Sequence, residues 1–227
     1  MIDYRAELEA SAEPKYAAFA SKLMPGKGNV LGVRIPRIRE IAKSIVKDDW
    51  RSFLDEEPRN FEEEILRGLV IATAPMDIEE RIRLTDGFLG YIDNWATNDI
   101  FCSSWKYRKK DTDVAWEYFS SLMDSDDGFR MRVSTIARMS LFKDEEHSLM
   151  LLEDLATHDN DEYYYRMGSA WAVSMIYVRH PEPVLELLRS GRLEVWTHNK
   201  SIQKICESRR VTDGDRRVVR ALKRRAP

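Results

Sequence analysis

The sequence predicts an all-α protein built from paired helices that stack side by side. Almost every segment carries apolar residues at helical spacing, and no segment shows the alternation of a strand. Only 10 Gly and 8 Pro occur in 227 residues, whereas a β-rich fold needs more turn residues. Long side chains at Trp95, Arg132 and Trp171 recur at intervals of 37 and 39 positions. A repeated helix pair is the simplest arrangement that accounts for all three observations.

The helical periods predict about a dozen helices joined by short polar loops. The first is expected to be one amphipathic helix over residues 4–23, kinked at Pro14. Asp77 is expected to cap a helix that reaches about Leu89. In order, the predicted helices cover residues 4–23, 36–45, 49–54, 61–73, 77–89, 95 to the basic cluster at 106–110, 111–123, 125–141, 145–157, 161–178, 181–188, 197–208 and 213–223.

The repeat interval lies just below the roughly 40–47 residues of HEAT and armadillo arrays. In such arrays, equivalent positions on the stacked helices line one concave surface. Trp95, Asp99, Arg132 and Trp171 are therefore expected to converge, although they are distant in sequence. We expect residues 1–227 to form a single domain of this kind.

The charge of the chain is unevenly distributed. The formal net charge is −3, but residues 189–227 carry a balance of +8 and the remainder carries −11. Acidic residues are concentrated in runs such as 55–57 and 62–64. A mildly acidic shell with a basic C-terminal end is compatible with a surface that faces DNA.

The cysteines and histidines give no metal-site or disulfide signal. Cys102 and Cys206 are isolated thiols, which predicts a reduced, cytoplasmic setting. The longest apolar run, residues 168–178, is about half of the ~20 residues that span a bilayer, and the charged N-terminus is unlike a signal peptide. We expect no metal, no cofactor and no membrane segment. The four histidines lack ligand spacing: His147, His158, His180 and His198.

Residues 93–105 form the segment around which the functional interpretation is built. Asp93 or Asn94 can cap a helix whose first residue is at or near Trp95. Asp99 follows four residues later, so the indole and the carboxylate lie on one helix face. Both groups attract positive charge and could serve a cationic ligand. The alternative is that Trp95 is a core residue and that Asp99 is an acid near the helix start, where the helix dipole stabilises negative charge.

At these residues the chain resembles the HEAT-like-repeat DNA alkylation repair glycosylases of the AlkD type. The resemblance runs across most of the chain and lies in the order and spacing of its motifs. Asn94 stands where relatives often have an aromatic residue, and relatives tend to be more basic than this chain. The matching segments are Leu31-Gly32-Val33 with Pro36, residues 94–99, residues 129–133, residues 163–171 and residues 197–200.

The resemblance implies a right-handed superhelical solenoid of HEAT-like or armadillo-like antiparallel helix pairs. It also implies excision of positively charged N3- or N7-alkylated purines without conventional base flipping. Asp99 would stabilise the sugar cation, Trp95 and Trp171 would flank the lesion nucleotide, and Arg132 would hold the DNA backbone. Further DNA contacts are expected from Lys106, Lys109, Lys110, Arg130, Arg166, Thr197, Asn199 and Lys200.

Each of these residues has a structural interpretation as well. By pattern alone, Trp171 suits a core position, Arg132 a surface ion pair, and Lys106–Lys110 a solvated helix end. Two other functions therefore stay open: a catalytically weak or inactive protein that binds DNA structures, and a protein-binding helical scaffold. The expected partner is double-stranded DNA with alkylated bases, bound by a monomer.

Overall fold

The computed structural model describes residues 2–225 and confirms an all-α fold over that range. Those residues form fourteen α-helices and three short 3-10 helices, and they contain no strand. The α-helices are α1 Tyr4–Ala10, α2 Pro14–Leu23, α3 Ile35–Lys47, α4 Trp50–Leu54, α5 Phe61–Thr73, α6 Ile78–Phe88, α7 Trp95–Ser104, α8 Thr112–Ser121, α9 Gly128–Leu141, α10 Glu145–Thr157, α11 Tyr163–Tyr177, α12 Pro181–Ser190, α13 Val195–Glu207 and α14 Asp213–Arg220.

The N-terminal segment differs from its prediction, because it forms two helices rather than one kinked helix. α1 ends at Ala10, and Pro14 is the first residue of α2. Proline has no N–H to donate and its ring clashes with the preceding turn, whereas the first helical position suits it. The backbone N–H of Glu13 donates to the carbonyl of Gly32 at 3.2 Å, which fixes the break between the two helices.

Two compact units make up the chain, with the division between Ala115 and Trp116. In the first unit, α5 packs against both α3 and α7, so alternate helices are stacked. In the second unit, α11 packs in the same way against α9 and α13. The single-domain prediction stays a prediction.

The core of each unit lies between its stacked helices. In the first unit, Ile38 and Ile41 of α3 and Leu66 of α5 are completely buried. In the second unit, Val173 of α11 is likewise buried. These helices are held by side-chain burial, which contributes roughly 1.5–3 kcal/mol for each large aliphatic side chain.

Candidate nucleic-acid interface

The start of α7 is fixed by local hydrogen bonds. The Oδ1 atom of Asn94 accepts from the backbone N–H groups of Ala96 and Thr97, both at 2.9 Å. Its amide group donates to Thr97 Oγ1 at 2.9 Å. Asn94 is therefore the N-cap of α7, and Trp95 is its first residue, as predicted.

The indole of Trp95 is held in one orientation while part of the ring stays accessible. Its Nε1–H donates to the carbonyl of Leu23 at 3.0 Å, across 72 residues of sequence. The half-buried ring borders an apolar cavity of about 240 Å³, together with Tyr16, Met24 and Ile100. A ring fixed in this way can present a face to a ligand without losing further side-chain freedom on binding.

The loop behind that cavity is held by a buried carboxylate. Glu62, at the start of α5, is 1% exposed. It accepts from the backbone N–H groups of Leu31 at 2.9 Å, Gly32 at 2.7 Å and Val33 at 3.2 Å. The expectation that the run 62–64 belongs to an acidic shell is wrong for Glu62 and for Glu63, which is 4% exposed. The three donors compensate the carboxylate of Glu62 for its removal from water.

Gly32 has a conformation that requires glycine. Its φ is +87°, and a Cβ atom at this position would lie 2.4 Å from the carbonyl oxygen of Glu13. Both the left-handed backbone and this close approach exclude a larger residue. This loop, Leu31-Gly32-Val33, is one of the segments that resemble the family. It is held rigidly, and Val33 forms part of the cavity wall.

Asp99 lies one helical turn after Trp95. The buried residues of α7 include Asn98, Phe101 and Cys102. Trp95 and Asp99 are only partly buried. Their spacing of four residues places them on the same face of α7.

Arg132 of the second unit is buried beneath α11. It is 3% exposed, and its guanidinium donates to the backbone carbonyl of Tyr164. A Cβ atom at Gly168 would lie 3.0 Å from Arg132 Nη1, so this glycine lets the two helices approach closely. Trp171 is half-buried on the same helix as Gly168. The predicted roles of Arg132 and Trp171 stay predictions.

Aromatic rings link the first turns of α9, α11 and α13. Phe129 lies 5.3 Å from Tyr164, Tyr164 lies 5.5 Å from Tyr163, and Tyr163 lies 6.1 Å from Trp196, measured between ring centroids. Lys200 Nζ sits 5.4 Å from the centre of the Trp196 ring. Tyr163 is 57% exposed, so part of this aromatic row faces solvent.

Two of the cations predicted to bind DNA in the second unit already have carboxylate partners. Arg166 pairs with Asp161 at 2.5 Å. Arg130 lies 3.8 Å from Asp127, a longer and weaker pair. A cation that is paired within the protein gains less from a phosphate, because the existing pair must first be broken.

The side chains at the start of α13 hold the C-terminal segment of the chain. Asn199 donates to the carbonyl of Arg224 at 2.8 Å and accepts from its N–H at 2.9 Å. His198 is completely buried, and its Nε2 lies 2.8 Å from the carbonyl of Leu222. Burial lowers the pKa of His198, so its ring is neutral near pH 7. Thr197 is also buried.

The basic cluster after α7 is exposed, as a DNA contact would require. Lys106, Lys109 and Lys110 all face solvent. The structure adds residues that the sequence analysis missed, because Lys106 borders the same cavity as Arg39 and Lys43 of α3. The spacing of four residues in α3 was a visible signal for these two cations.

The described residues contain no cluster of His, Cys, Asp or Glu that could hold a metal ion. Within residues 2–225, no helix is both long enough and apolar enough to cross a bilayer.

The comparisons with known proteins identify the family of the chain. The fold and the site define an all-helical protein whose exposed lysines suit an anionic partner. A family model described as DNA alkylation repair enzyme matches residues 4–205. The chain therefore belongs to the DNA alkylation repair enzyme family, as the resemblance indicated, and the family implies that it binds DNA. None of the curated proteins matches the chain.

Proposed function

We propose that this chain is a DNA glycosylase that excises positively charged N3- or N7-alkylated purines. The observation that carries the proposal is the fixed, partly exposed indole of Trp95, with Asp99 one turn further along α7. In a DNA alkylation repair family, such a pair suits a nucleotide that carries positive charge. The repair function is given by the family, and the glycosylase mechanism is the part that we propose.

The chemistry of the lesion explains why a carboxylate and aromatic rings would be sufficient. Alkylation at N3 or N7 makes the purine cationic and weakens its bond to C1′ of the sugar. As that bond breaks, the electron pair goes to the base, which leaves neutral, and C1′ becomes oxocarbenium-like. Water then bonds to C1′ and loses a proton. Asp99 stabilises the developing cation and orients the water, and no strong general acid is needed.

Trp95 and Trp171 flank the sugar and backbone of the lesion nucleotide in this proposal. Arg132 holds the neighbouring phosphate, whose geometry suits a planar guanidinium, and this role requires the guanidinium to leave the carbonyl of Tyr164. The base is not flipped into a pocket, so selection rests on the charge and instability of the lesion. Further contacts to the DNA backbone come from side chains with N–H or O–H donors: Lys106, Lys109, Lys110, Arg130, Arg166, Thr197, Asn199 and Lys200.

The proposal includes the fold that the resemblance implies, a right-handed solenoid of HEAT-like antiparallel helix pairs in one domain. The stacking of α3, α5 and α7 in one unit, and of α9, α11 and α13 in the other, supports it. Stacking of alternate helices is what a repeat of two helices produces, because each repeat buries its apolar face against the next.

A base-release assay tests the proposed activity. Incubation with methylated duplex DNA is expected to release 7-methylguanine or 3-methyladenine, detected by chromatography and mass spectrometry. Unmethylated duplex is the control substrate and should yield no free base. If the protein binds methylated duplex but releases neither base, the glycosylase proposal is wrong.

The burial of Arg132 favours one alternative, a catalytically weak or inactive protein that binds DNA structures. A guanidinium that is 3% exposed and donates to the Tyr164 carbonyl has little surface left for a phosphate. This alternative predicts salt-sensitive binding to bent or branched DNA without base release. The same assay, run beside a binding titration, separates the two functions.

A further inference from the structure

Lys27 is a nearly buried cation that the proposed chemistry does not use. It lies in the loop between α2 and α3, and its side chain is 9% exposed. Its Nζ atom lies 2.6 Å from Glu64 Oε2, in α5. The same atom lies 3.0 Å from each carboxylate oxygen of Asp93, just before α7. One ammonium group therefore connects the loop to two of the stacked helices.

The two carboxylates keep Lys27 charged in the folded protein. Burial lowers the pKa of Lys27, but hydrogen bonds to Glu64 and Asp93 raise it by more, so the net change is upward. An ammonium that is removed from water is costly unless anions compensate it. We therefore expect the ammonium to stay with these two partners rather than turn to solvent.

A tight turn couples Lys27 to the end of α2. The backbone N–H of Lys27 donates to the carbonyl of Met24 at 3.1 Å. Pro25 and Gly26 occupy the central positions, and the φ of Gly26 is +89°, as in a type II turn. The side chain of Met24 is buried and forms part of the wall of the apolar cavity. Because proline has a fixed φ and a hydrogen bond closes the turn, little backbone freedom separates Leu23 from Lys27.

This turn meets the start of α7 at two points. At the first, the carbonyl of Leu23 accepts from Trp95 Nε1–H at 3.0 Å. At the second, Lys27 binds Asp93, two residues before Trp95. Asp93 also accepts from the side-chain amide of Asn94, the N-cap of α7, at 2.9 Å. The second attachment restricts rotation of the turn about the single indole hydrogen bond.

A purely stabilising role explains only part of this arrangement. Glu64 is 17% exposed and could compensate the ammonium of Lys27 from within the core. Asp93 is 60% exposed, and an ion pair with a carboxylate so accessible to water adds little to stability. What Asp93 adds is a connection to the helix that carries Trp95 and Asp99.

We infer that Lys27 is a positioning residue for base release, which keeps the carbonyl of Leu23 in place and so gives the indole of Trp95 one orientation. This inference rests on the proposed function for the reaction that Trp95 serves. Lys27 touches neither the sugar nor the base and acts through Trp95. Such support matters because a misplacement of 1 Å beside the reacting atoms can cost about 100-fold in rate.

Two substitutions at the ion pair separate positioning from stability. Lys27→Met removes the ammonium and keeps most of the aliphatic stem, but it leaves the buried Glu64 without its cation. Asp93→Asn leaves the pair of Lys27 and Glu64 intact and removes only the charge beside α7. Lys27→Arg restores a cation. Lys22→Met is the control, because it removes an exposed lysine near the end of α2.

Three measurements are made on each variant. Single-turnover release of 7-methylguanine from methylated duplex gives the rate, and fluorescence anisotropy with a duplex that carries a tetrahydrofuran abasic analogue gives the affinity. Proton–nitrogen correlation NMR of the Trp95 indole N–H reports its hydrogen bond to Leu23, and Trp95→Phe assigns the signal. The indole of Trp105, which donates to Thr85 Oγ1 at 3.1 Å, is the internal reference.

Lys27→Met is expected to slow base release about 10-fold, with duplex affinity within about 2-fold of the wild type. Its Trp95 indole N–H should exchange with water about 10-fold faster, because the hydrogen bond opens more often, while the Trp105 signal stays unchanged. Asp93→Asn should change the rate and the exchange in the same direction by about 3-fold. Lys27→Arg and Lys22→Met should behave nearly as the wild type does.

A folded Lys27→Met protein that releases base at the wild-type rate, or that keeps the wild-type Trp95 signal, would overturn the inference. Equal losses of rate and duplex affinity would also overturn it, since they would indicate that Lys27 contacts DNA. If Lys27→Met does not fold, Asp93→Asn decides by the same criteria. If the wild type releases no alkylated base, the proposed function fails, whereas indole exchange still tests whether Lys27 holds Trp95.

Discussion

Asp99→Asn is expected to slow release of an alkylated base by about 100–1,000-fold, with little change in DNA binding. The substitution keeps the size and position of the side chain but removes the charge that faces the developing sugar cation. Loss of one preorganised electrostatic group in an active site has an effect of that size. Single-turnover release of 7-methylguanine from methylated duplex measures the rate of the chemical step.

A matched control is available in the same unit. Asp113→Asn removes an exposed carboxylate from α8 and should leave the release rate unchanged. Thermal unfolding of both variants verifies that the fold is intact. A folded Asp99→Asn protein that releases base at the wild-type rate would remove Asp99 from the mechanism.

Glu62→Gln is expected to lower the free energy of unfolding by about 2–4 kcal/mol, since hydrogen bonds to a charged group contribute about 1.5–3 kcal/mol each. Gln places an NH₂ group where one carboxylate oxygen accepts from the loop. Either the N–H of Leu31, which donates to Oε2, or the N–H groups of Gly32 and Val33, which donate to Oε1, would then face a donor. Urea unfolding measures the stability, and amide exchange at these three residues locates the loss.

Glu79→Gln is the control for this substitution. Glu79 is exposed in the first turn of α6, so its replacement should change stability by only a few tenths of a kcal/mol. Loop amides that exchange equally slowly in the wild type and in Glu62→Gln would show that the carboxylate does not hold the loop.

Local sequence signals predicted much of the fold correctly. The α7 start followed from Asn94, whose short side chain caps the helix beginning at Trp95. α10 covers Glu145–Thr157, the range that its helical period predicted, and the structure shows that Asp144 caps it. Such signals involve only neighbours in the chain, so a sequence can reveal them. The break before Pro14 was missed because a proline is found both at a kink within one helix and at the first position of a new helix.

Burial of charged residues could not be predicted in the same way. Glu62 lies in a run of three acids that looks like a solvated helix face. Its burial depends on three N–H groups from a loop about thirty residues earlier. Arg132 is buried because Gly168 lets α11 approach it. The spacing of Arg39 and Lys43 was visible, whereas the cavity that both border depends on how α3 packs against α5.

The central claim is that Asp99 and Trp95 stabilise positive charge on a sugar. Binding to two duplexes tests it most directly: one carries a cationic pyrrolidine analogue of the abasic sugar and the other a neutral tetrahydrofuran analogue. We expect the wild type to bind the cationic analogue about 100-fold more tightly, since an enzyme is complementary to its transition state. Asp99→Asn should lose that preference. Equal affinity of the wild type for the two duplexes would contradict the account.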